Sequence, residues 1–350
     1  MNRYHYAIGV GITNYPNYSS LKALAGPVND ANAFRDWLEN EGGVPVKNIE
    51  QLTTPIGAPT PGAAQPVKGQ LDDAMERLHD KIEADTAHDP ALWHQSRLYV
   101  FLAGHGIIPR GGESALLLAN TRQGRHENFE VSQYVNWYHY HGGIFKEIVF
   151  FTDCCRNRFD KTPPSVPPFD LTDGTCPTVF TMGGYACAPG TPAYDQKEAQ
   201  TPANERRGYF TQALLRGLRG GAQIDLAEGV ITGQTLATYV QFAVRHTTSH
   251  KPIPQHVTTP TSDQGYPIRF GAPTTIPMNQ ATISIPPAFA REVELRDPTG
   301  KRHKWANGPT PWPMTGPDGL YGVVEVSTMS GSAFQDDGRF AVIGDTHVQL

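Results

Sequence analysis

Cys155 and His105 are the two side chains whose type and placement point to chemistry. Cys155 is the last but one residue of the stretch EIVFFTDCCR, in which the apolar run Ile148 to Phe151, with Thr152, stops abruptly at Asp153-Cys154-Cys155-Arg156. Fifty residues upstream, RLYVFLAGHG reads as a strand over Leu98 to Ala103 followed at once by His105-Gly106. A thiol is a useful nucleophile only as thiolate, and a nearby imidazole lowers its pKa or takes its proton. Acyl transfer also needs backbone N–H groups for the developing oxyanion, and Gly106 and the N–H of Cys155 are the candidates. Taken singly, a buried cysteine and a satisfied loop histidine are ordinary structural residues. Two strand ends carrying both argue for a Cys/His nucleophilic site.

The elements that must position this pair read as β-α-β-α-β. Tyr4 to Ile12 alternates as a first strand, and Val28, Ala31, Phe34 and Leu38 recur at helical spacing. Asn29 or a neighbour is expected to cap that helix and Gly42-Gly43 to end it. Asn48 to Leu52 is a second strand. Val67, Leu71, Ala74, Met75, Leu78 and Ile82 mark a second amphipathic helix, and Arg97 to Ala103 is the third strand. Such alternation predicts an α/β fold with a parallel sheet whose ligand site lies beyond the carboxyl ends of the strands. Ala115 to Ala119 reads as a small hairpin or edge strand, Val131 to Tyr140 as a helix, Lys146 to Thr152 and Val179 to Tyr185 as strands, and Tyr209 to Leu218 and Leu236 to Val244 as helices. Arg156 to Pro177 is polar and proline-rich, which predicts a mobile loop. Composition shifts from Lys251, placing a boundary near Gly271 between a domain of residues 1–271 and one of residues 272–350. In the latter, Ala281 to Ile285, Glu292 to Leu295, Gly322 to Val326 and Phe340 to Ile343 suggest a small all-β sandwich.

The totals exclude several classes. With 29 Lys+Arg against 34 Asp+Glu the net charge is -5, no like-charge run occurs, and nucleic acid is not expected as a partner. The N-terminus enters a strand pattern without the sections of a signal peptide, and no window approaches the roughly 18 apolar residues of a membrane span. The expectation is a cytoplasmic protein with no membrane partner. Four cysteines, two of them adjacent, make no disulfide framework, and Cys176 and Cys187 have no zinc-like spacing. GVG near the start continues into neither a dinucleotide fingerprint nor a P-loop, and GES is not a G-x-S-x-G elbow.

Together AIGVGITNYP…LAGPVNDA, YVFLAGHG, FFTDCCR and GYFTQALLRGL, covering about residues 4 to 265, resemble the caspase/metacaspase superfamily of cysteine peptidases, closest to its bacterial metacaspase-like members. The resemblance implies a caspase-like, mostly parallel sheet flanked by helices, plus the small C-terminal β region. It implies that Cys155, two residues after the Asp, is the nucleophile, with His105 as general base and acid. Strand alternation agrees, since it puts Asp153 and Cys155 on one side and Cys154 on the other. In metacaspases the acids of the D-x-C and G-x-x-N-D-A motifs line the pocket for the residue before the scissile bond, which carries over to Asp153 and Asp30. Two confined carboxylates favour Arg or Lys, although helix capping is the plain alternative for Asp30.

By the same resemblance TMGGYACAPGTPAYDQ is a substrate-binding wall, with Met182, Gly183 and Gly184 pairing with an extended peptide and Asp195 nearby. Arg156, Arg158 and Lys161 lie where caspases are cut on activation, and with Arg206 and Arg207 they are the expected processing sites. Between His105 and Cys155 the chain lacks the acidic cluster of calcium-dependent metacaspases, so no cofactor, metal or calcium is expected. Partners implied are protein substrates cut at basic residues and an upstream activating protease or sensor, as in bacterial immune or cell-death signalling. The rival reading is a catalytically silent caspase-like scaffold.

Overall fold

The chain divides by its contacts into two units, Met1–Gln212 with Thr248–Ile268, and Ala213–Thr247 with Arg269–Leu350. The computed structural model describes residues 2–55, 57, 60–170, 177–195, 202, 205–261, 266–273, 278–285, 292–306, 308, 310–326, 339–342 and 346–349.

In the first unit the order is β1 (His5–Gly11), α1 (Pro27–Asn40), β2 (Ile49–Thr53), α2 (Lys68–Thr86), β3 (Arg97–Gly104), β4 (Gly106–Pro109), β5 (Ala115–Leu117), β6 (Asn128–Glu130), α3 (Val131–Trp137), β7 (Glu147–Cys154), β8 (Asn157–Phe159) and β9 (Phe180–Tyr185), after which α4 (Tyr209–Arg216) begins. The main sheet has five strands in the order β2-β1-β3-β7-β9, all parallel. Alternation along β3 sends Leu98, Val100 and Leu102 to a core shared with Leu71, Met75, Leu78 and Ile82 of α2. The intervening residues face α1, where Phe34 stacks on Phe101 at 4.7 Å and Trp37 meets Tyr99 edge-on. Burial on both faces is why these strands read as continuous apolar runs.

Helix α1 starts at Pro27, which needs no N–H in the first turn, after Gly26, which gives no side-chain cap. Asn29 is therefore not the cap; its Nδ2 donates to Ala25 O at 3.2 Å. The helix ends with the N–H groups of Glu41 and Gly42 both donating to Trp37 O, followed by Gly43 at φ 69°.

A second sheet, β6-β5-β4-β8, leaves the first at Gly104, whose φ of 153° L side chains rarely adopt. A methyl group there would also fall 2.7 Å from Tyr15 Oη. His105 thus sits at the bend between two sheets. Strand β8 runs parallel to β4, so Arg156 to Pro177, expected to be a loop, begins as a pinned strand; residues 171–176, with Cys176, lie outside the described residues.

The second unit holds β10 (Ile224–Asp225), β11 (Val230–Thr232), α5 (Gly233–Thr247), β12 (Arg269–Gly271), β13 (Met278–Ser284), β14 (Glu292–Arg296), β15 (Arg302–Ala306), β16 (Trp312–Pro317), β17 (Gly319–Val326), β18 (Arg339–Val342) and β19 (Thr346–Gln349). Sheets β16-β13-β19 and β15-β14-β17-β18 share a core of Ile283, Val293, Leu295, Trp305, Met314 and Tyr321. A single boundary near Gly271 does not describe this grouping. Residues 213–247 belong with the C-terminal strands because Ile224 N–H donates to Pro298 O (3.1 Å) and Arg216 lies 3.8 Å from Asp318. Among the described residues no helix is long and apolar enough to cross a membrane.

Candidate active site

Register places the reactive pair. Gly104 of β3 is the partner of Cys154 of β7, so His105 and Cys155 are the next residues out of two adjacent parallel strands, at their carboxyl ends. His105 is held from several directions. Its backbone N–H donates to Tyr15 Oη (2.8 Å), the two rings lie 5.1 Å apart, and its Nε2 is 2.7 Å from Lys22 O. A carbonyl only accepts, so Nε2 carries a hydrogen in this contact, and whenever the ring is neutral its lone pair falls on Nδ1.

The two cysteines part company at this point. Cys154 is buried, its Sγ lies 3.8 Å from Ser114 Oγ, and burial pushes its thiol up to about 12. A methyl group at Gly106 would fall 2.5 Å from both Cys154 Sγ and Cys155 O, so glycine is required there for backbone approach. Cys155 is half-buried, and its Sγ lies against the backbone of Ala193, accepting from the N–H at 3.4 Å with the carbonyl oxygen at 3.6 Å. Burial raises its pKa; the Ala193 N–H opposes this, and Asp153 and Asp195 add to it. In this conformation Cys155 is a protonated thiol that needs a base.

Asp30, Asp153 and Asp195 converge on Gly208. Asp30 accepts from Gly208 N–H with both oxygens, each at 3.1 Å, and Asp153 Oδ2 accepts from Thr211 N–H (3.1 Å) and Oγ1–H (2.6 Å). Asp195 pairs with Gly208 in an antiparallel bridge. A methyl group at Gly26 would lie 3.1 Å from Asp30 Oδ2 and 3.2 Å from Asp195 Oδ1, so those two carboxylates flank one glycine. A side chain on Gly208 would collide with the Asp153 carboxylate. Burial, and then its neighbour Asp153, raise the Asp30 pKa well above the usual carboxylate range. Asp153 is pushed up to about 7, chiefly by burial.

Those shifts fix a sign for stability against pH. A carboxyl that holds its proton more tightly folded than unfolded contributes stability below about pH 4 and loses it as pH climbs to about 7. The melting temperature of the parent chain should therefore fall across that window relative to Asp153→Asn. Parallel curves for the two proteins in a calorimetric pH series would refute the shift.

Two expectations are corrected here. Arg156 is not an exposed processing site: it is 2% exposed, and its guanidinium donates to Glu113 O and Oε2, Cys187 O and Thr258 Oγ1 while lying 4.3 Å from the centre of the Tyr185 ring. Arg156→Met should lower unfolding free energy by roughly 2–4 kcal/mol, because buried carbonyls lose a charged donor. A change under about 0.5 kcal/mol in chemical denaturation would contradict this account. Met182, Gly183 and Gly184 do not offer a free edge for peptide, because residues 258–261 already occupy it, with Gly183 N–H donating to Pro260 O at 2.7 Å and Tyr185 N–H to Thr258 O at 2.8 Å. The glycines are needed instead because the rings of Phe150 and Phe151 cross over them. Arg158 and Lys161 are exposed, whereas Arg206 and Arg207 are half-buried beside the acids, with Asn29 Nδ2 donating to Arg206 O at 2.9 Å.

Sequence reading missed Tyr15, Lys22, Ala193 and Thr211. Lys22 and Ala193 act through backbone atoms, which no residue type betrays; Tyr15, in the turn after β1, and Thr211, in GYFT, carried a faint signal.

The order of motifs along this sheet matches a known family. The caspase domain family (peptidase family C14) matches residues 5–264. The chain belongs to the caspase family. Among curated proteins this caspase-domain chain is 28% identical over 230 residues to a probable protease of a Desulfuromonadales bacterium, a match covering 63% of the chain and 27% of that protein. The chain thus spans about a quarter of the curated relative's length. Among solved structures it is similar to pro-sf-caspase-1 (15% identity, TM-score 0.42, 74% of this chain and 87% of the other) and to a Geobacter sulfurreducens protein (15% identity, TM-score 0.41, 73% and 92%).

Proposed function

We propose that this caspase-domain chain is a cysteine endopeptidase that cuts after Arg or Lys, with Cys155 as nucleophile and His105 as base. The observation that supports the reading is the β3/β7 register, which brings His105 and Cys155 to neighbouring strand ends, with His105 Nε2 2.7 Å from Lys22 O. As Cys155 Sγ attacks the scissile carbonyl carbon, Nδ1 of His105 takes the thiol proton and then gives it to the leaving amine. The thioester so formed is hydrolysed by water, with the N–H groups of Gly106 and Cys155 offered to the oxyanion. Asp30 and Asp153, with Asp195, favour a guanidinium or ammonium through charge and paired hydrogen bonds. No metal enters this scheme, and calcium independence is part of the proposal.

The test is a panel of peptides varying only the residue before the scissile bond, with and without calcium, alongside Cys155→Ala. Cleavage after Arg and Lys without calcium is expected. Cleavage after Asp would overturn the acid pocket, and a strict calcium requirement would overturn the metal-free scheme. Failure of an arginine-based electrophile to label Cys155 in the activated protein would favour the silent scaffold.

A further inference from the structure

Of the seven residues Thr162 to Pro168, four are proline: Pro163, Pro164, Pro167 and Pro168. Proline fixes its own φ and drives the residue before it out of the helical region, which leaves only Ser165 unconstrained. From Pro163 to Pro167 the chain accordingly runs without helix, turn or bend. These are the conditions for a polyproline II ridge, with three residues per turn.

That period sorts the side chains. Thr162 and Ser165, three apart, face the body of the protein: Thr162 is buried with Oγ1 2.8 Å from His126 Nδ1, and Ser165 Oγ accepts from Glu130 N–H at 2.9 Å. On the same side Asn128 of β6 donates to Pro163 O and accepts from Ser165 N–H, both at 3.1 Å. The other two rows face outward. One holds Pro163 and Val166, both exposed and Val166 at 62%; the other holds exposed Lys161 and the half-buried Pro164 and Pro167. Beyond Pro167 the chain bends, and Phe169 turns into the core with its ring 4.3 Å from that of His79. The ridge is thus moored at both ends and along one edge, so a molecule that binds it has almost nothing to order. A cavity of about 410 Å³ alongside is lined by Lys68, Arg125 and Lys161 against the single acid Glu127, which makes this margin cationic.

We propose that Lys161–Pro167 is a docking ridge for a partner domain whose groove is lined by aromatic rings and flanked by acidic side chains, the chemistry of SH3-type domains. The rings take the apolar pairs Pro163-Pro164 and Val166-Pro167, and the acids take Lys161. This surface does not depend on the peptidase reading.

The probe is an isolated SH3 domain that takes peptides with a basic residue three positions before P-x-x-P. Calorimetric titration into the full chain should show saturable binding with a dissociation constant below about 1 mM. Pro164→Ala and Pro167→Ala should each weaken it about tenfold or more. Val166→Asp should abolish it and, because that side chain is exposed, leave the melting temperature with the parent. Lys161→Glu should weaken binding at least about threefold, a loss that shrinks as salt rises, whereas Arg158→Glu, on β8, stays within about twofold. Absence of binding overturns the ridge, and so do proline variants that bind like the parent or equal losses from Lys161→Glu and Arg158→Glu. If the parent chain self-associates in sedimentation and Val166→Asp does not, a second copy is the occupant and the proposed partner is overturned.

Discussion

Cys155→Ala should reduce hydrolysis of an arginyl peptide by about 10⁴-fold or more, and His105→Ala by a similar factor, because the two act as one unit. The double variant should lose little more than either single one. Cys154→Ala gives the contrast. Its sulfur is buried against Gly106 and beside Ser114, so it should cost stability and leave the chemical step largely intact. Steady-state kinetics on all four proteins decides the matter. An active Cys155→Ala, or a Cys154→Ala that loses turnover while remaining folded, would move the nucleophile away from Cys155.

The second large effect concerns choice of substrate. Asp30→Asn keeps the shape and an acceptor for Gly208 N–H but removes the carboxylate that a bound guanidinium would pair with. Losing one partner of a buried charged contact costs about 2–5 kcal/mol, so the ratio of kcat/KM for an arginyl over a glutaminyl peptide should fall at least about thirtyfold. Stability should hold or rise at neutral pH, because the folded chain disfavours the ionised carboxylate that Asn replaces. An unchanged ratio would make Asp30 an acceptor for the Gly208 N–H and nothing more.

Much of this arrangement was legible in the sequence, and the part that was not has a common cause. Strands β1, β3 and β7 are buried on both faces and declare themselves as apolar runs; their ends fell within a residue or two of expectation because Gly104 and the change to Asp153-Cys154-Cys155-Arg156 interrupt the pattern. Strands β4, β6 and β8 have three or four residues each, too few for any period to register, whereas β5 showed through the apolar letters of Ala115 to Ala119. Arg156 looked like loop because its side-chain acceptors lie 43 and 102 residues away in sequence. The first turn of α1 was misjudged at Asn29 because Pro27 made a side-chain cap unnecessary, freeing Asn29 to hold Arg206 O instead. A side chain's type and its place at a strand end, as at His105 and Cys155, can be read from letters. Contacts made by the carbonyls of Lys22 and Ala193 cannot.

The segment at residues 258–261, which bridges to β9, has a consequence for assembly. The outer margin of β9 would otherwise present unpaired N–H and C=O groups, a template on which a second molecule could extend the sheet. Residues 258–261 take those bonds themselves, Thr258 through both its N–H and its C=O and Pro260 through its oxygen. Two copies joined edge to edge through β9 would first have to peel this segment away.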